Sequence, residues 1–156
     1  MALRSITIGG LAVALLSCSA PEQPADIAVS DGWTREVAPG QSAAAVYLTI
    51  ANAGEGGDRL VDIASAQGDA ALHETSSSGG IARMRALEDG LAIGPRSRVE
   101  LRPGGAHIMV TGLEQRPAQG QTFGLTLGFE RSGKRPVAIR VVPAGGEGHA
   151  GHGMSM

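Results

Sequence analysis

"FGLTLGFE", residues 123–130, alternates without interruption: Phe123, Leu125, Leu127 and Phe129 fall on one side, with Gly124, Thr126 and Gly128 between them. A period of two is the signature of a β-strand that buries one face. Runs of β-branched and apolar residues recur outward from it in both directions: "AVYLTIAN" (45–52), "RLVDIASA" (59–66), "IARMRAL" (81–87), "SRVELR" (97–102), "AHIMVTGL" (106–113) and "PVAIRVV" (136–142). Gly, Pro, Asn and Asp turns separate them, and no segment holds a helical period. Short strands at regular spacing predict an all-β sandwich or barrel. A chain of 156 residues suits a single domain with its own core. With four aromatic residues in the whole chain, that core must be built mainly from Val, Leu, Ile and Ala.

The two ends read differently. Residues 1–17 combine a basic Arg4 with an apolar run, Ile6 to Leu16, about as long as a signal-peptide core and too short to span a bilayer. The run enters Leu15-Leu16-Ser17-Cys18, which resembles a bacterial lipobox whose cysteine is lipidated. Cleavage after Ala20 and a buried structural Cys18 are the other readings. Ser19, rather than Asp, after the cysteine points a Gram-negative lipoprotein to the outer membrane. Residues 18–31, rich in Pro, Ala and acids, read as a tether. Residues 32–143 carry the β pattern, and the Gly-rich 144–156 should be a mobile tail. Cys18 is the only cysteine, so the exported domain has no internal disulfide and no thiolate for a metal. Removing residues 1–17 takes Arg4 from a net charge of −2, leaving −3, too little to suggest nucleic acid or an anionic membrane surface as partner.

The His and Met residues divide evenly. His73, Met84, His107 and Met109 lie in the β region, and His149, His152, Met154 and Met156 lie in the tail. Within "AHIMVTGL", His107 and Met109 are two apart and leave one face of a strand. Met84 is linked back to His73 through the turn-like "TSSSGG", so the two could meet across a hairpin. Singly, each is an ordinary core or surface residue, and Met commonly fills gaps. Together they form a set of two imidazoles and two thioethers. Thioether is soft and neutral: it suits Cu(I) and does little for Zn²⁺, Mg²⁺ or Ca²⁺. A zinc site would want Cys or carboxylate alongside His.

His73, ten residues, Met84, a longer gap and then His107-x-Met109 resembles the signature of the periplasmic PCuAC copper chaperones. The gap of 22 residues between Met84 and His107 is one longer than the family pattern, within a stretch where a turn can absorb it. "GWTREVAPGQSAAAVYLTIANAG", "DRL", "LHET", "LRPGGAHIMVTGL" and "GFERSG" resemble the family almost in order, over residues 30–143. The resemblance implies a cupredoxin-like Greek-key β-barrel or sandwich with His73, Met84, His107 and Met109 as Cu(I) ligands. It also implies a periplasmic location, and delivery of copper to an acceptor such as a cytochrome oxidase subunit or another copper chaperone. His149, His152, Met154 and Met156 would form a secondary copper site, with Cu(II) held through imidazole and backbone nitrogen or Cu(I) through Met.

Enzyme signals are weak. "GEGHAG" (146–151) matches a dinucleotide-binding glycine pattern by accident, since no βαβ unit follows it. Ser76, Ser77 and Ser78 near His73 lack a nucleophile-elbow context. No enzymatic activity is expected. Two further readings stand beside the chaperone: copper sequestration for resistance, and a metal-free β-sandwich that binds protein partners. Any membrane association is expected only through the lipid anchor.

Overall fold

The computed structural model describes residues 23–146. Among them ten strands form: β1 (Ile27–Arg35), β2 (Ala43–Asn52), β3 (Asp58–Ser65), β4 (Asp69–Ser78), β5 (Ile81–Ala86), β6 (Leu91–Ile93), β7 (Ser97–Leu101), β8 (Ala106–Thr111), β9 (Thr122–Phe129) and β10 (Gly133–Val142). The hydrogen-bonded order is β5-β4-β8-β2-β1-β10-β9-β3-β6, with β7 pairing with β2 beyond the end of β8. β1 and β10 run parallel, and the other pairs are antiparallel. β3, near one end of this order, also lies against β4 near the other. The sheet therefore curls round a single core, the all-β sandwich-or-barrel arrangement expected from the strand pattern.

Alternation decides what goes inside. Val46, Leu48 and Ile50 of β2, Ile108 and Val110 of β8, Leu125 and Leu127 of β9, and Ile139 and Val141 of β10 are buried. Phe123 and Phe129 join them, as their period requires. At roughly 1.5–3 kcal/mol for each buried aliphatic or Phe side chain, this inner face supplies most of the driving force for folding.

The domain begins earlier than the expected boundary at 32. β1 starts at Ile27, inside the segment read as a tether, and pairs with β2 from Ile27↔Asn52 to Thr34↔Val46. Its alternation is hidden because the register slips between Ser30 and Trp33. Asp31 and Gly32 together oppose one residue of β2, and Asp31 takes a left-handed φ of 55°. Such a β-bulge swaps which residues face inward. Ile27 and Val29 face the core before it, and Thr34 does so after it, donating its hydroxyl to the Ala45 carbonyl at 2.8 Å. Trp33 is thereby turned to the outer face. Gly32 can hold this bend because a Cβ there would come within 2.6 Å of both the Ala138 carbonyl and Ile139 Cδ1. Gly32→Ala should cost about 1–3 kcal/mol, read from the urea midpoint, and should weaken the near-UV signal of Trp33. An unchanged midpoint would count against this packing. The short β6 also went unseen in the sequence, being too brief to show a period.

Two polar residues fasten the loops. Buried Asn52 accepts from Asp26 N and Gly54 N at 3.0 Å each and donates to the carbonyls of Gly56 (2.8 Å) and Gly94 (2.9 Å). Buried Asp58 accepts from the backbone N–H groups of Arg59 (2.7 Å), Arg131 (3.0 Å) and Ser132 (2.9 Å), tying the start of β3 to the β9–β10 turn. Burial alone would raise its pKa. The Ser132 hydroxyl and the three backbone donors outweigh that and hold the carboxyl below the usual carboxylate range.

Candidate metal centre

β4, β5 and β8 bring the four donors of the β region to one face. In an antiparallel pair, directly opposite residues share a face, and diagonal neighbours remain within reach of long side chains. His73 of β4 lies opposite His107 of β8, and Met109 lies opposite Ala71, two residues before His73. On the other edge of β4, Met84 lies opposite Thr75 and Ala86 lies opposite His73. His73, Thr75, Met84, His107 and Met109 thus all point to the outer side of the sheet. Across the β4–β5 hairpin Met84 lies on a diagonal from His73, being opposite Thr75. Two glycines, Gly79 (φ 59°) and Gly80 (φ 79°), close that hairpin between the paired Ser78 and Ile81. Positive φ at both central residues is what a two-residue hairpin turn needs. The serines read as turn are therefore the end of β4.

The donors stand over small residues. Met109 has Ala45 on one flank and Ala71 on the other, and Ala86 is the β5 neighbour of His73. The imidazole centroids of His73 and His107 are 6.1 Å apart. Two imidazoles sharing one ion through metal–nitrogen bonds of about 2 Å would sit at roughly this separation.

Both rings are oriented by the backbone. His73 Nδ1 lies 3.3 Å from the Ala71 carbonyl, and His107 Nδ1 lies 3.0 Å from the Gly105 carbonyl. A carbonyl can only accept, so the neutral form of each ring carries its proton on Nδ1 and leaves the Nε2 lone pair free. This is the second-sphere contact that fixes the tautomer of a metal-binding histidine. Among the described residues, no group of three or more His, Cys, Asp or Glu converges to hold a metal. The soft side chains that share the face with the two imidazoles are the Met84 and Met109 thioethers.

The donors differ in burial. His107 is 4% exposed, His73 and Met109 are half-buried, and Met84 is 54% exposed. The arginines beside Met84 do not shield it, because they alternate to the opposite face, where Arg85 pairs with Glu74 at 2.7 Å. His107 is walled by residues that the sequence reading did not assign to the site. Tyr47 lies 6.3 Å from it, ring to ring, and Trp33 stacks at a tilt on Tyr47 at 4.6 Å. Arg35 sits 5.7 Å from the Trp33 ring. Burial pushes the Tyr47 phenol up, with Arg35 opposing, so it remains protonated and offers the site a ring rather than an anion. A row Trp33–Tyr47–His107–His73 therefore crosses β1, β2, β8 and β4. Only the bulge, which no residue spacing reveals, puts Trp33 in that row. Cys18, His149, His152, Met154 and Met156 lie outside the described residues.

This architecture is the PCuAC β fold, as the sequence resemblance implied. The copper-bound PCuAC domain from PmoF2 superposes with a TM-score of 0.63 at 24% identity, covering 75% of this chain and 92% of that one. The solution structure of CuI-DR1885 from Deinococcus radiodurans gives a TM-score of 0.58 at 26% identity over 81% of each chain. Within this fold, the family described as "Putative lipoprotein LpqE-like" matches residues 27–141. "Putative lipoprotein Lxx21020" of Leifsonia xyli subsp. xyli (strain CTCB07) is 32% identical over 149 residues, covering 89% of both chains. The chain belongs to the LpqE-like lipoprotein family.

Proposed function

We propose that this protein is a copper chaperone of the bacterial envelope that binds Cu(I) through His73, Met84, His107 and Met109 and passes it to an acceptor, such as an oxidase copper centre. The observation that carries the reading is the register: three strands present two backbone-oriented imidazoles and two thioethers on one face. Such a set is neutral and soft, matched to Cu(I) and poor for Zn²⁺. The copper in the names of the PmoF2 and DR1885 structures supports it. No reaction is assigned to the site. The lipoprotein names of its relatives support a lipid anchor at Cys18. In this reading the domain is held in the periplasm, with the outer membrane as the anchoring bilayer. Residues 144–156, with His149, His152, Met154 and Met156, are read as a tail that gathers additional copper.

Trp33 is the only tryptophan in the chain and lies two ring contacts from His107. In a soluble form starting at Cys18→Ser and ending at Gly146, Cu(I) should alter Trp33 emission and saturate at one equivalent. Ending at Gly146 keeps its carbonyl, which accepts from Arg35 Nε at 3.2 Å. Copper bound with Trp33 emission unchanged would place the metal elsewhere. No copper bound would favour a metal-free interaction module, and copper held without passage to any acceptor would favour sequestration.

A further inference from the structure

We infer that Met84 is the exit ligand of this site: the donor that an acceptor displaces first, while His107 lets go last. The inference rests on the copper reading above. The four donors form a gradient of restraint. His107 is 4% exposed, bonded through Nδ1 to the Gly105 carbonyl, and flanked by Tyr47 on one side and His73 on the other. Trp33 and Tyr47, each 9% exposed, close the β1–β2 side of the donor face. The core lies beneath the sheet.

Met84 sits at the opposite extreme. Its strand, β5, ends the sheet order, and all six of its residues are exposed. Among the described residues only β4 pairs with it, and at the hairpin tip no heavy atom beyond the chain neighbours lies within 4 Å of where a side chain on Gly79 or Gly80 would begin. Edge strands of this kind are the least restrained part of a sheet. An incoming donor can therefore reach the ion from the β5 side without moving the barrel.

The step is a ligand exchange. A bond forms between Cu(I) and the acceptor's sulfur or nitrogen as the bond to the Met84 sulfur breaks. Copper remains Cu(I), the thioether leaves neutral, and neither electron nor proton changes hands. Met109, between Ala45 and Ala71 and half-buried, has no such freedom.

The test is stopped-flow transfer of Cu(I) to bicinchoninate from the loaded soluble form ending at Gly146. Wild type, Met84→Leu and Met109→Leu are compared, since Leu keeps the apolar bulk and removes the sulfur. Wild-type transfer should be first order in chelator. Met84→Leu should speed it at least about tenfold, whereas Met109→Leu should weaken equilibrium binding yet leave the rate within about threefold. Equal acceleration in both variants, or a wild-type rate independent of chelator, would overturn the exit role and leave the copper site standing. A wild-type protein that takes up no Cu(I) would overturn both. Met84→Ala, at the same exposed position, guards against an effect of leucine's shape.

Discussion

His107→Ala should lower the Cu(I) affinity of the β domain by more than about 100-fold, equivalent to about 3 kcal/mol or more. Three features make it the largest single loss among the four donors. It is the most buried, its tautomer is set by the Gly105 carbonyl, and it stands directly opposite His73, so its removal separates the other imidazole from its partner. The affinity is measured by competition with a chromophoric Cu(I) chelator, using the form that ends at Gly146 so that tail residues cannot compensate. Loss of the imidazole should weaken Cu(I) and Cu(II) together, because nitrogen serves both ions. If His107→Ala binds Cu(I) as wild type does while still folded, the site is not on this face.

Asp58→Ala should be the most damaging change away from that face, costing about 3–5 kcal/mol and lowering Tm by roughly 10 °C or more. It leaves three backbone N–H groups, those of Arg59, Arg131 and Ser132, without the carboxylate they converge on. The pH dependence follows from the same contacts. Because the folded carboxyl titrates below its unfolded value, its contribution is complete above the unfolded carboxylate pKa and is lost as pH falls through the folded one. Wild-type stability should therefore decline on acidification below that range. Asp58→Asn, which has no proton to gain there, should show a flatter acid limb from a lower plateau. Denaturant midpoints measured from neutral to acid pH test this, and parallel curves for the two proteins would remove Asp58 as the source of the slope.

Much of the architecture was legible because alternation is a local property. Phe123, Leu125, Leu127 and Phe129 announce an inward face whatever their partners are, and each is buried. "AVYLTIAN", "AHIMVTGL" and "PVAIRVV" are strands for the same reason. The first strand was not legible, because the bulge at Asp31–Gly32 breaks its period where the acidic, proline-rich segment ends. Nothing local marks Asn52, the last residue of "AVYLTIAN", or Asp58 as a fastening point. Their importance lies in partners 42 residues distant for Asn52 and 73 and 74 residues distant for Asp58.

By itself, the sequence determined which residue types were available: two imidazoles, two thioethers and no thiolate in the β region, a combination whose softness would suit Cu(I). It also placed His107 and Met109 on a common face, since residues two apart on a strand must share one. Only the tertiary structure decided that His73 stands opposite His107 and that Met84 lies on a diagonal from His73, on the strand that ends the sheet order among the described residues. Register between strands is set by the packing of the whole inner face, and a slip of one residue would turn every donor on a strand to the other side.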